Sequence, residues 1–241
     1  FRQIQFQTGA TGEKLAGLEE SFKRIYGQSA ASAEAITKAM SMISVRTGST
    51  GAELEGLTLK MLRLAKVANT DVAAIAPLIT RVFGDWSIAA AKQGYAMDLL
   101  RTVSQKTGVD LSRLAERLVY FGAPLRQVGF NFEQAAAIIG RFEKEGVNTE
   151  TVLTSLRLAL GNFLKTGQYD TVGAFRQIIG QIKNAKTEAE GLEKAFKAFG
   201  KRAAVDLYRA VVEGRFDDFL SGEFQRVTDG AGNMSEGLGA A

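Results

Sequence analysis

The sequence contains no cysteine and no histidine. Without cysteine there is no disulfide, no thiolate nucleophile and no thiolate metal site. Without histidine the chain lacks the commonest general base and the commonest metal ligand. Most hydrolase triads, zinc sites and haem sites are excluded together. Proline is nearly absent, at 2 residues, and tryptophan occurs once. A linker-rich chain carries proline along with glycine and serine, so this is not one. No apolar run is long: VAAIAPLI from Val72 is far too short to span a bilayer. No signal peptide is visible, but the chain starts at Phe1 rather than methionine. A piece of a longer protein is expected, so missing targeting signals say little about the parent. Charge of one sign is not clustered either. Thirty basic residues lie among 26 acidic ones, for a net charge of +4 and a pI near 9.3. A DNA-binding face clusters its cations, so no sequence-specific nucleic-acid partner is expected.

What is present suits a folded chain. The 241 residues make one large domain or two small ones. Hydrophobic residues are 46% and charged residues 23%, which excludes a disordered tail or a collagen-like fibre. Glycine is frequent, at 26, and recurs at intervals of helix length. Gly27, Gly48, Gly84, Gly108, Gly122, Gly146, Gly167, Gly200 and Gly214 are expected as helix C-caps. The apolar residues between them step by three and four. Leu54, Leu57, Met61, Leu64 and Ala68 form one such stripe. Phe132, Ala135, Ile139 and Phe142 form another. Leu153, Leu156, Leu160 and Phe163 form a third, and Val172, Phe175, Ile179 and Ile182 a fourth. That spacing lines one face of a helix. Nothing alternates with period two over a useful length, so no strand is expected.

Start signals agree. Thr50 with Glu53, Thr187 with Glu190 and Asn131 with Gln134 have capping-box spacing. Ser32, Thr70, Asp110 and Thr149 suit N-caps. Helices are expected near 12–26, 33–46, 51–68, 71–83, 88–106, 111–121, 132–145, 150–165, 170–185, 188–199, 201–213 and 215–227. Pro77 should bend or break the fourth. One repeat is visible: TGATGEKLAGL from Thr8 and TGSTGAELEGL from Thr47 share seven of eleven positions. Each opens a helix, which suggests two related helical hairpins over 8–84. The expected fold is all-α, with about twelve short amphipathic helices in hairpins, an elongated array or bundle without a sheet. Residues 1–7 read as the end of a preceding segment, 85–228 as the remaining helices, and 229–241 as a flexible Gly/Ala-rich end.

Carboxylates are the remaining candidates for chemistry. A glycosidase needs two across one bond. Glu143 and Glu145, Asp217 and Asp218, and Glu19 and Glu20 are too close in sequence to face each other from one helix. They read as solvated charges at helix ends. Gly200-Lys201-Arg202 lacks the upstream glycine and the hydroxyl of a phosphate loop, and Gly48 to Gly51 has no lysine. No loop has calcium-binding spacing. Trp86 reads as packing at a helix junction, and Phe121, Phe130, Phe132 and Phe142 as core rather than a groove. The polar faces mix both signs, which favours core packing over a membrane surface. No catalytic, cofactor-binding or metal-ligating residue is assigned, and no cofactor is expected. The residues alone give a helical, non-enzymatic packing or assembly module.

Four phrases carry a family resemblance: FGDW at Phe83–Trp86, FGAPLRQVGF at Phe121–Phe130, FEKEGVNTETVL at Phe142–Leu153, and FGKRA at Phe199–Ala203 followed by Asp206-Leu207. With the TG-rich repeats and SVRTGSTG from Ser44, the chain over roughly 8–228 resembles the core region of tail tape measure proteins of long-tailed bacteriophages. The resemblance implies a structural protein of the virion tail that sets tail length during assembly and leaves the tube when DNA is ejected. It implies several copies in a bundle. The partners it implies are the tail tube protein, tail tip or baseplate proteins and tail assembly chaperones, with the host membrane met during ejection. It places the protein in the tube lumen or tail tip, in the host cytoplasm during assembly and in the host envelope during ejection. No catalytic residue is carried over. A uniform ruler is a continuous helix, whereas glycines interrupt this chain, so a folded core domain is expected rather than a spacer. Two other readings stand beside it: a helical domain that enters the host envelope, and cell-wall cleavage by a carboxylate.

Overall fold

A computed structural model describes residues 1–127, 129–146, 148, 150–154 and 170–217. The described residues are helical, with no strand among them. Among the described residues ten helices are assigned. They are α1 (Arg2–Thr8), α2 (Gly12–Gln28), α3 (Ala33–Thr47), α4 (Gly51–Val67), α5 (Val72–Asp85), α6 (Ala90–Thr107), α7 (Leu111–Gln127), α8 (Phe132–Lys144), α9 (Thr171–Lys183) and α10 (Glu188–Val212). The expected helices 150–165 and 215–227, the end 229–241, Gly167 and Thr149 lie largely or wholly outside the described residues. Three of the four stripes behave as their spacing requires, while Leu156, Leu160 and Phe163 of the other lie outside the described residues. Leu54, Leu57, Met61 and Leu64 are buried, as are Phe132, Ala135, Ile139 and Phe142, and Phe175, Ile179 and Ile182.

The helix starts follow a period that two TG phrases only hint at. Helices α3, α5 and α7 begin at 33, 72 and 111, each 39 residues after the one before. Their partners α2, α4 and α6 begin at 12, 51 and 90, with the same step. Among the described residues α1–α2 and α3–α4 pack as helical hairpins, and α5–α6 repeat their spacing. Helices α8 and α9 begin at 132 and 171, again 39 apart.

The turns inside the hairpins explain the TG phrases. Thr8 Oγ1 donates to the Ile4 carbonyl at 2.8 Å and accepts from Ala10 N at 3.2 Å. One period later, Thr47 Oγ1 donates to Ile43 O at 2.7 Å and accepts from Ser49 N at 3.2 Å. Gly9 and Gly48 then close the first helix in the left-handed conformation, at φ 64° and 75°. In the third hairpin Ser87 takes that place, at φ 51°. The backbone repeats there although the phrase does not.

Several expectations need correction. Gly27, Gly84 and Gly122 lie inside helices rather than at C-caps. Gly48, Gly108, Gly146, Gly200 and Gly214 do have positive φ. Pro77 does not end α5. It sits beyond the first turn, where it leaves one carbonyl without its usual partner. Burial of Ile75, Ala76, Ile79, Val82 and Phe83 on the same helix outweighs that loss. Likewise α7 continues through Pro124 to Gln127. Thr50 makes no side-chain cap bond, and Asp71, not Thr70, caps α5. Thr187 caps Glu190 N, but the Glu190 carboxylate accepts from Lys186 N instead of closing a box. Asn131 and Gln134 form the complete box. Residues 2–8, which carry no recognised stripe, form a helix whose Ile4 is buried.

By packing, the chain divides into two units: residues 1–101 with 110–116, and residues 102–109 with 117–241. In the first unit, α3 packs against α1, α4 and α5, and α2 packs against α4. Like stacks on like, first helix on first helix and second on second. The second unit has an aromatic centre. Phe142, Phe175, Phe199 and Phe216 are each at most 1% exposed. Phe142 meets Phe175 at 6.2 Å and Phe216 at 5.7 Å between ring centroids, and Phe175 meets Phe199 at 6.0 Å, all edge-on. Helix α10 breaks at Gly200, as the two expected helices 188–199 and 201–213 require. The halves double back so closely that a Cβ at Gly191 would stand 2.5 Å from the Tyr208 ring.

Candidate functional site

The carboxylate pairs are not assembled into chemistry. Glu143 is turned to Arg117 of α7 at 3.2 Å, and its side chain is 4% exposed. Glu145 is turned to Arg141 at 3.3 Å and to Arg215 at 4.0 Å. Residues two apart on a helix thus point to different partners, as expected, but these two carboxylates are held in largely buried ion pairs rather than solvated as their place at a helix end suggests. Asp217 pairs with Lys183, while Asp218 lies outside the described residues. Glu20 is exposed and lies 3.6 Å from Arg24. Arg141 donates to the Arg215 carbonyl, and Arg215 donates to the Glu145 carbonyl at 2.9 Å. That exchange ties the end of α8 to the turn after α10. Gly200 marks the break in α10 and forms no phosphate loop. Among the described residues, no cluster of acidic side chains could hold a metal ion, and no helix is long and apolar enough to cross a membrane.

The residues singled out in the four phrases sit at helix junctions. Phe83 and Trp86 close α5, and both are buried. Phe121 and Phe130 bracket the end of α7 and the turn at Gly129, and Phe142 leads into the end of α8. Phe199 precedes the break in α10. Phe121, Phe130, Phe132 and Phe142 are at most 7% exposed, so they are core rather than a groove, as their spacing predicts. These phrases fix how one helix turns into the next.

What the first unit offers instead is contact between hairpins and open surface. Glu55 of α4 accepts from Ser21 Oγ at 2.9 Å and Arg24 Nε at 2.9 Å, both on α2. Lys60 of α4 donates to Asp98 of α6 at 2.7 Å. The second helices are therefore joined by a polar link at each step. Sequence spacing gives no sign of these links, because the partners are 31 to 38 residues apart. A groove of about 400 Å³ runs along α3 between α1 and α5, lined by Gln7, Lys38, Ser41, Met42, Arg46 and Ala73. A second hollow, about 460 Å³, lies where the α2–α3 and α4–α5 junctions meet, with Arg63 and Lys66 at its rim.

The Arg24 guanidinium holds the Glu55 carboxyl below the ordinary carboxylate range, against a smaller opposing effect of burial. A carboxyl depressed in this way stabilises the fold above its unfolded pKa, and the contribution fades as pH falls through the folded value. Glu55→Gln should cost about 1 kcal/mol at pH 7. Its stability should also fall less than that of the native chain as pH drops below about 4.3. Urea unfolding at a series of pH values checks both effects; parallel pH curves would show that Glu55 carries no such linkage.

The fold and its surfaces define a class: an all-α protein built of stacked helical hairpins, with buried aromatics at the junctions. The profile of the phage-related minor tail protein family matches residues 19–208. The chain belongs to that family, and is a structural protein of the phage tail that contacts other tail components. As such its place is the virion tail. No curated protein and no solved structure matches it.

Proposed function

We propose that the chain is the core region of a tail tape measure protein, acting without catalysis in tail assembly and in setting tail length. The observation that carries this reading is that all four tape-measure-like phrases fall, in order, inside the span matched to the tail family. Their buried aromatics sit at turns, which suits a structural part. Its partners are the tube protein, tip or baseplate proteins, assembly chaperones and further copies of itself, and it leaves the tube when DNA is ejected. The hairpins favour a folded domain over a continuous helical spacer, since each turn reverses what a helix would gain in length. Surface charge of both signs suits contacts with several tail components.

An in-frame deletion of residues 8–228 in the parent gene tests this, with virion tails measured by electron microscopy. A folded assembly domain predicts that no tails form. Tails shorter by up to about 330 Å would show an extended ruler instead, at helical rise per residue. Normal tails that fail to deliver DNA would contradict both and favour a part in crossing the envelope.

A further inference from the structure

The first helices of the repeat lie side by side, α1 against α3 and α3 against α5. The groove of about 400 Å³ along α3 therefore has a helix on each side. The 39-residue step sets Lys38, Met42, Val45 and Arg46 of α3 in the places of Pro77, Arg81, Gly84 and Asp85 of α5. On α5, Arg81 faces Asp85 at 3.6 Å, one helical turn on, so the two charges compensate. On α3 that pair is replaced by Met42 and Arg46. Arg46 is exposed and has no carboxylate partner among the described residues. Met42 is half-buried. Val45 is 58% exposed, although a helix packs on either side of its own.

The groove also holds a polar group without a partner. Ser41 lines it and is 2% exposed, and its hydroxyl makes no hydrogen bond among the described residues. Its counterpart Thr80 donates to the Ala76 carbonyl at 2.7 Å. A buried hydroxyl without a partner costs free energy, so an occupant oxygen that reaches Ser41 would offset that cost. The charge of the lining has one sign. Among the described residues no carboxylate lines the groove, and its cations are Lys38 and Arg46. These stand about 12 Å apart along α3 at helical rise. Lys38 is already paired with Glu34 at 2.7 Å and attracted by Asp71, which leaves Arg46 as the open charge.

We propose that this groove binds one amphipathic helix of another tail protein, laid along α3. The occupant carries a carboxylate for Arg46 beside aliphatic side chains for Met42, Val45 and Ala73. A helix is the fitting shape, because the groove follows α3 for about two turns and an amphipathic helix places its anchors at that spacing. One open cation is too little for nucleic acid or an anionic lipid surface, which clustered cations hold. The inference needs only the groove and its charge, and is independent of the role in tail-length control.

The test immobilises the full chain and selects binders from a library of helical peptides randomised along one face. Enriched peptides should carry Asp or Glu one turn from Leu, Ile or Met. The strongest should bind Arg46→Glu at least about tenfold more weakly, because like charges then meet. Lysine in place of its carboxylate should restore binding to Arg46→Glu and weaken binding to the native chain. Val45→Asp should weaken binding of the same peptide. Val45 and Arg46 are exposed, so both variants should keep the native thermal midpoint, which separates lost contact from lost folding. Should Arg46→Glu melt early, Arg46→Gln still decides, by weaker binding of the acidic peptide. Enrichment of basic peptides, equal binding to the native and variant chains, or no enrichment at all would overturn the proposal. So would a dimer in sedimentation that Val45→Asp abolishes, because the occupant would then be a second copy. Arg46-dependent binding of phosphatidylglycerol vesicles or of single-stranded DNA would assign the charge to phosphate and overturn it as well.

Discussion

Phe142→Ala is expected to lower stability by about 3–5 kcal/mol, the usual cost of emptying a buried aromatic site. Phe142 is fully buried and touches two of the other three rings at the centre of the second unit. Those rings come from α9 and from the turn after α10, so the gap cannot close by moving one helix. A loss of that size is a large part of the total stability of an ordinary domain. Urea unfolding followed by circular dichroism measures it. Phe6→Ala is the companion variant. Its ring is 89% exposed, so it should stay within about 0.5 kcal/mol of the native chain. Equal losses from the two would contradict the placement of the core.

Gly200→Val should cost about 1–3 kcal/mol, through the backbone rather than through packing. Gly200 has φ 69° and ψ 170°, a region open in practice to glycine alone. A Cβ there would meet no other group within 4 Å, so any loss reports conformational strain and not a clash. The break also lets Gly191 approach Tyr208, so a chain that cannot turn at 200 loses that contact as well. Gly56→Ala makes the opposite case. Gly56 lies within α4 with open space around its Cα, and alanine there should stabilise by about 1 kcal/mol. The same urea experiment reads both signs. A neutral Gly200→Val would mean that the chain does not turn at this residue.

Much of the fold could be read from spacing. The stripe through Leu54, Leu57, Met61 and Leu64 is buried because three- and four-residue steps leave one face for the core. Asn131 and Gln134 close a box because their spacing matches one helical turn. Glycine was less informative. Gly48 and Gly84 look alike in sequence, yet only Gly48 has positive φ. Nothing local distinguishes a glycine that ends a helix from one that rides within it. The period was half visible for a physical reason. Thr8 and Thr47 hold their turns with a side-chain hydroxyl, so the sequence repeats there. Trp86 fills the same place by burial, and Ser87 takes the left-handed position without a glycine, so the third copy keeps the shape and loses the phrase. The surfaces were least legible. Glu55 and Lys60 earn their partners only through the stacking of hairpins.

The central claim is that helices α2 to α7 repeat with a 39-residue period. Excision of residues 33–71 tests it most directly, with helicity and melting followed by circular dichroism. The excision removes one period and leaves Ser32 to cap Val72 in the place of Asp71. It brings α1–α2 onto α5–α6, whose positions are equivalent to those it covers now. The account expects unchanged helicity per residue and one sharp, cooperative melt. Excision of residues 33–52, about half a period, should instead destroy cooperativity. Equal disruption by the two excisions would contradict the account, because a true repeat tolerates the loss of a whole unit and not of half of one.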